Sequence, residues 1–544
     1  MHKTSSIIVH HAYAVFLALM LGLTAVHAAQ AQDRPRTSPT PVPKPFPRVT
    51  PSPTPAPRPT VSPDASLEDL RSRIRMRLFD TAVRRGRVGV KIVALRGGTV
   101  VFENDSEKYF MPASNMKNFT VAAAIEKLTP DFRFVTSVFA AVRPDQEGVV
   151  RGDLRIFGRG DISISTAFFG TTPADPNTYF KGIDRLVDTI AAAGVRRIEG
   201  ALVGDESYFR GGPIPDGWEW DDLQWYYGAE LSSLPINDSA VDIAVTASSV
   251  GGPCSVTISP PNPIFQVVNT CSTGAGGSRR TLTVTKRLDR NIVEVSGTLP
   301  IGDNGFRGSI AVSRPAEMFV TLLKQRLEVR GIAVTGGTRL QPPGVTSSST
   351  LEIARLESPP LSLIAAKTMK PSQNLYTETL LWTLGEETAR RAGRTGDSGS
   401  LGLGVVRGFL KEIGAADDGI LQYDGSGLSR HDLITPSAVV ALYTYMAKQS
   451  RFAQVWRDSL TIGGVDGTLR NRFKGTLAEG NMRGKTGTLD QVSALSGYVR
   501  TAAGEELVVS LVVNGVADPA TRTRLLDDIV VYLANHKDPI EPQM

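Results

Sequence analysis

A chain of 544 residues, 41% hydrophobic and 21% charged, has the composition of a soluble globular protein with room for two to four domains. Its formal charge of +6 is small for that length, and no basic stripe with interleaved aromatics accompanies it, which argues against a nucleic-acid partner. Of six histidines, His2, His10, His11 and His27 crowd the N-terminus, so only His431 and His536 remain for chemistry, too few for a Ser-His-Asp hydrolase or a histidine-rich metal site.

The first segment reads as a secretory signal. Lys3 is the only full charge before Asp33, an apolar run covers 12–26, and small residues at 26–28 or 29–31 suit cleavage. Residues 1–31 are therefore expected to be removed on export to a periplasm or cell-wall space. An uncleaved anchor is the alternative, but the run is short for a bilayer, and no later stretch is apolar enough to form a stable transmembrane anchor. No cysteine near the cleavage site points to a lipoprotein. Residues 32–65 form a linker whose alternating prolines favour extended polyproline II.

From Ser66, a plausible N-cap, the pattern turns helical, with Leu67, Leu70, Ile74, Met76, Leu78 and Ala82 on an apolar face. Strand-like segments at 87–95 and 99–103 flank Arg96-Gly97-Gly98, a hairpin signal. A helix is expected over 114–128. Next comes a long stretch rich in Gly and Pro, with strand patterns at 149–157, 198–203, 240–247, 280–285 and 292–299. Trp218, Trp220 and Trp225 cluster within it, a pattern of core or domain-contact packing rather than a sugar platform. Cys254 and Cys271 are the only cysteines. In an exported protein they are expected to pair, a bridge worth about 3 kcal/mol by loop closure, with two free thiols as the alternative.

Helical patterns return at 375–389, 400–413 and 435–448. An edge strand at 485–488 precedes apolar strands at 494–500 and 506–513 and a last helix over 521–534. The fold class expected is α+β: an antiparallel sheet flanked by helices, built from 66–140 and 355–538. It is interrupted by a β-rich module at 141–354, large enough for two subdomains. His536 is expected in a solvated tail, and His431 in a loop.

Three strings carry chemistry, each occurring once: Ser114-Asn-Met-Lys117, Ser372-Gln-Asn374 and Lys485-Thr486-Gly487. Residues three apart on a helix share a face, so the Lys117 amine can reach the Ser114 hydroxyl. Pro112-Ala113 suggests that Ser114 opens the helix, where backbone N–H groups favour developing negative charge. A lysine serves as base only with a depressed pKa, through burial or a nearby cation such as Lys485. Ser372 can relay a proton to a leaving amine, and Asn374 can orient Lys117. Lys485 and the hydroxyls of Thr486 and Thr488 suit a carboxylate, with Gly487 allowing close approach to the strand. Alone, each string would read as an ordinary cap or turn; their order and context point to one serine enzyme. No metal-ligand set or cofactor motif is present.

With these strings stand Tyr109-Phe-Met-Pro-Ala-Ser-Asn-Met-Lys117, Gly217-Trp-Glu-Trp-Asp221, Leu234-Pro-Ile-Asn-Asp238, Ser372-Gln-Asn-Leu-Tyr376, Asp424-Gly-Ser-Gly-Leu-Ser-Arg430 and Gly484-Lys-Thr-Gly-Thr488. Together they resemble the low-molecular-mass class C penicillin-binding proteins, D-alanyl-D-alanine carboxypeptidases/endopeptidases with a large insertion between their first two motifs. The likeness runs from about residue 66 to 535. Gln373 occupies a position where Asp is common.

That resemblance implies a penicillin-binding transpeptidase-like fold and a set of roles. Ser114 would attack the penultimate D-Ala carbonyl while Lys117 takes its proton. The backbone N–H groups of Ser114 and Thr488 would form the oxyanion hole. Ser372 would protonate the departing D-Ala, with Asn374 orienting the site. Lys485 would hold that D-Ala electrostatically, and Thr486 and Thr488 would bind its carboxylate, with Gly487 letting the substrate lie close to the backbone. Asp205 and Arg430 would recognise the zwitterionic end of a diamino-acid side chain. The implied partners are peptidoglycan stem peptides, with β-lactams as inhibitors. A β-lactamase and a non-catalytic wall-binding protein are the competing readings. The first lacks an identifiable water-activating group, and the second has no need of Ser114, Lys117 and Lys485 together.

Overall fold

The computed structural model describes residues 63–170, 176–342, 348–415 and 418–541. The expected signal peptide, and the linker up to residue 62, lie outside them. The first helix, Pro63–Leu78, starts earlier than the Ser66 cap suggested, with proline at its opening position. Leu67, Leu70 and Ile74 are buried, whereas Met76 is 66% exposed and so does not belong to the stripe.

Six strands form one antiparallel sheet in the order Val100–Asn104, Arg87–Ala94, Glu506–Asn514, Val492–Arg500, Arg483–Leu489 and Thr461–Ile462. Side chains alternate across a pleated sheet, so each strand feeds two cores. Leu507, Val509, Leu511 and Val513 face the first helix and the last, Pro519–Ala534. Val508 and Tyr498 face the other way, into a helical core holding Phe119, Leu380, Phe409 and Tyr443. The segment after the last helix returns to this sheet: the Glu541 carboxylate accepts from the Gly97 and Thr99 N–H groups of the first hairpin. His536, expected in solvent, is therefore buried at 3% exposure, and desolvation holds its pKa below the usual imidazole value.

The stretch between the first two motifs builds a five-stranded sheet ordered Thr338–Leu340, Leu202–Asp205, Leu154–Phe157, Val135–Ala140 and Leu351–Glu357. The strand that enters the stretch pairs antiparallel with the strand that leaves it. Two helices pack with this sheet, Lys181–Ala192 and Pro315–Val329. Sequence reading named only strands here, although Ile183, Leu186, Val187 and Ile190 follow helical spacing. The expected strand at 149–157 breaks into Val149–Val150 and Leu154–Phe157. The break falls at Gly152, whose backbone lies 2.2 Å from where a Cβ on Gly200 would sit. Cys254 and Cys271 are disulfide-bonded. The tryptophans divide: Trp225 is core, Trp218 donates to Asp424 at 2.8 Å, and Trp220 is 72% exposed. Among the described residues, no helix is long and apolar enough to cross a membrane, and no side-chain cluster could hold a metal ion.

Candidate active site

Ser114 sits in a one-turn 3₁₀ helix, Ala113–Met116, and the α-helix proper starts at Lys117. The serine thus lies one turn ahead of the α-helix that was expected to open with it. Ala113 holds φ = +48°, a strained conformation for a residue with a Cβ. Close packing enforces the turn from two sides. A Cβ on Gly427 would stand 1.9 Å from Ala113 O, and one on Gly487 would stand 2.5 Å from Pro112 O. Gly487 is thus needed to seat the Ser114 turn against the strand, a demand distinct from the substrate approach suggested by sequence. Asn115 Nδ2 donates to Lys485 O at 3.1 Å, and Ser496 Oγ donates to Asn115 Oδ1 at 2.5 Å, tying turn to sheet.

Lys117 is fully buried. Its amine lies 2.9 Å from Ser114 Oγ, 2.6 Å from Asn374 Oδ1 and 2.7 Å from Ser426 O. These three acceptors match the three protons of an ammonium. Burial pulls its pKa down to about 7, against the attraction of Asp424, Glu378 and Asp432. As a neutral amine it still donates to the asparagine and the carbonyl, which directs its lone pair at Ser114.

Ser372 lies between the helices Leu361–Met369 and Asn374–Leu384, at φ = +66°. Gln373 caps the second helix by accepting from Leu375 N at 3.2 Å. Asn374 Nδ2 donates to Tyr227 O at 2.9 Å, which fixes its oxygen toward Lys117. Lys485, fully buried, donates to Ser372 Oγ at 2.8 Å and to Thr486 O at 2.8 Å. Burial, then the neighbouring Lys117, holds its pKa well below the usual lysine value. The edge-strand expectation holds for 485–488: the two-residue neighbour pairs only with Arg483 and Gly484. Thr486 Oγ1 donates to Thr468 Oγ1 at 2.7 Å, while Thr488 is exposed.

Sequence reading missed the acids behind Lys117. Glu378, one turn after Asn374 on the same helix, accepts from Gly425 N at 2.8 Å and Ser426 N at 2.7 Å. It thereby fixes the carbonyl that Lys117 meets. Asp424 accepts from the N–H groups of Gly427, Leu428 and Ser429. Burial raises the pKa of both Glu378 and Asp432. The Asp424–Arg430 string was visible in the sequence, but no spacing links it to Glu378.

Asp205 and Arg430 do not come together. Asp205 is buried, its carboxylate engaged by Arg155 at 2.8 Å and Ser207 N at 2.9 Å, rather than turned to a substrate ammonium. Arg430 is partly exposed and pairs with Glu219 at 2.8 Å. His431 lies exposed in the adjoining loop, against the Tyr423 ring.

The chain is similar to known proteins. The model of the D-Ala-D-Ala carboxypeptidase 3 (S13) family matches residues 70–536. A D-alanyl-D-alanine carboxypeptidase of Actinomadura sp. (strain R39) is 34% identical over 490 residues, 88% of this chain and 87% of that protein. D-alanyl-D-alanine carboxypeptidase DacB of Haemophilus influenzae is 26% identical over 423 residues, 76% of this chain and 83% of that one. The crystal structure of penicillin binding protein 4 (dacB) from Haemophilus influenzae superposes with a TM-score of 0.70 at 22% identity, covering 86% of this chain and 97% of that one, which shows the fold. The chain belongs to the S13 family and is a serine-type D-Ala-D-Ala carboxypeptidase with the α+β fold of the penicillin-binding proteins.

Proposed function

We propose that Ser114 is the nucleophile and Lys117 the base of a DD-peptidase acting on peptidoglycan stem peptides outside the cytoplasm. One observation supports this reading above the others: a buried amine whose pKa is near 7, with two of its hydrogens committed to Asn374 and Ser426 and its third direction aimed at Ser114 Oγ. The neutral amine takes the hydroxyl proton as Oγ attacks the penultimate D-Ala carbonyl. The N–H groups of Ser114 and Thr488 are the proposed donors to the oxyanion. The C–N bond then breaks. Ser372, hydrogen-bonded to Lys485, delivers its hydroxyl proton to the departing D-Ala nitrogen and takes up in its place the proton that Lys117 removed from Ser114. Water cleaves the Ser114 ester and returns the enzyme.

An arriving carboxylate would favour the charge that burial disfavours on Lys485. Thr486 and Thr488 supply hydroxyls for the same carboxylate. Arg430, on the rim beside Glu219, is the proposed contact for a diamino-acid side chain. A β-lactam offers the same carbonyl and carboxylate, but its leaving nitrogen stays tethered, so the ester persists. The Haemophilus influenzae protein has been crystallised with a β-lactam, which supports this reading.

The test is incubation of the mature protein with pentapeptide monomers and cross-linked dimers, followed by mass spectrometry. Loss of one D-Ala from the monomer is expected, and loss of dimers would add endopeptidase action. Unchanged monomer and dimer, with no penicillin bound, would contradict the reading.

A further inference from the structure

The inserted module grips the second motif at two consecutive residues. Asn374 is held by the carbonyl of Tyr227, and Gln373 Nε2 donates to Asp238 Oδ2 at 3.2 Å. The other oxygen of Asp238 accepts from the Tyr376 hydroxyl at 2.5 Å and from Ser165 Oγ at 2.7 Å. Asp238 therefore fastens the loop and the first turn of its helix together. The Gln373 amide has no freedom to turn over, because its oxygen caps Leu375 N while its nitrogen meets Asp238.

Both sides of this contact hold left-handed backbone. Asn237, Asp238 and Ser239 have φ values of +46°, +60° and +50°, and Ser372 has +66°. Non-glycine residues keep such angles only where the surroundings over-determine them. On the module side, Asn237 N donates to Ile164 O at 3.0 Å and Asn237 Nδ2 donates to Tyr179 O at 2.8 Å. The choice of glutamine at position 373 then has a physical reason: a carboxylate there would face the Asp238 carboxylate.

We propose that Asp238 is a positioning residue contributed by the inserted module. By accepting from Gln373 and Tyr376 it fixes the strained loop that presents Ser372 to Lys485 and Asn374 to Lys117, and so couples the module to acylation. This rests on the roles given above to Ser372 and Asn374.

The contact can be inverted without changing its shape. Gln373→Glu puts oxygen against oxygen, Asp238→Asn puts nitrogen against nitrogen, and the double variant restores one donor facing one acceptor. In the Asp238→Asn variants, Ser165 and Tyr376 hold the remaining side-chain oxygen in place, leaving the new amide nitrogen toward position 373. Acylation by a chromogenic cephalosporin separates the rate at saturation from the half-saturating concentration, and a thermal melt reports folding. Each single variant is expected to lose about tenfold or more in the saturating rate with little change in half-saturation, as misplaced catalytic groups do. The double variant is expected to return to within about threefold of wild type. Singles that acylate normally, or a double variant no faster than the slower single, would overturn the proposal. If the singles fail to fold, the double decides alone: recovery of folding and rate supports it, and failure of either overturns it. Ser114→Ala is run alongside. Acylation that survives in that control would remove the Ser114 reading, an outcome distinct from a wild type that acylates but ignores the swap.

Discussion

Lys117 and Lys485 are both fully buried, and each donates to a serine hydroxyl, at 2.9 and 2.8 Å. Their surroundings differ in sign. Asp424, Glu378 and Asp432 attract a proton to Lys117, while burial and then the repulsion of Lys117 both disfavour the charge on Lys485. Equal burial therefore yields two different groups. Lys117 is poised near neutrality, able to hold or release a proton at small cost. An arriving anion would favour the charge that burial and Lys117 disfavour on Lys485. The comparison teaches that desolvation disfavours the charge on either lysine, and the neighbouring charges decide what each can do about it.

The largest expected effect comes from removing the poised amine. Lys117→Met should cut acylation by about a thousandfold or more, the scale of a lost general base. With a base pKa of about 7, wild-type acylation should fall about tenfold per pH unit below that value, and the variant's residual rate should be flat. Stability gives an independent readout. The unfolded chain holds the Lys117 proton up to the ordinary lysine pKa of 10.5, whereas the folded chain releases it near 7. The unfolded state thus binds more protons between those values, and stability rises with pH through that window. Thermal melts of Lys117→Met should lose that share of the rise, keeping the part that the buried Lys485 contributes.

Lys485→Met should break the other half of the comparison. A loss of about a hundredfold is expected, concentrated in the KM of substrates with a terminal carboxylate and much smaller for an amidated analogue. Equal losses for the two substrates would contradict the anion-holding role.

Gly487→Ala tests whether the two lysine sites share one seat. Its Cβ would fall 2.5 Å from Pro112 O, so the Ser114 turn must move. A displacement of about 1 Å at a reacting group costs on the order of a hundredfold, so acylation should drop by about ten- to a hundredfold, with a lowered melt from the overpacked contact. The subtlest effect is expected from Asp424→Asn. Removing the strongest attraction on the Lys117 proton should move the lower limb of the acylation pH profile further down, where a structural defect alone would lower the whole curve.

Much of this was legible in the chain. Ser114, Lys117, Ser372, Asn374 and Lys485 announce themselves because their chemistry demands fixed residue types at fixed local spacing. The apolar runs at 494–500 and 506–513 likewise declared the sheet. What stayed hidden depends on distant pairing. Glu378 and Asp424 are acids on a helix and a loop, and only the fold places both behind Lys117. Asp205 looked free to meet a ligand because nothing local revealed Arg155. His536 looked solvated because the groups near it, among them Arg73, Asp69 and Glu505, come from distant parts of the chain. The left-handed angles at Ala113 and Ser372 have no sequence signature, since neither residue favours them. The helix Lys181–Ala192 is a different case: its apolar spacing was readable and was outweighed by the surrounding Gly- and Pro-rich strand signals.

The most direct test of the account is to trap and locate the acyl group. Mature protein treated with benzylpenicillin at pH 8 should gain the mass of one drug molecule, and peptide mapping should place it on Ser114. The Ser114→Ala protein should gain none. An adduct on another residue, or one that persists in the Ser114→Ala protein, would contradict the claim that Lys117 activates Ser114.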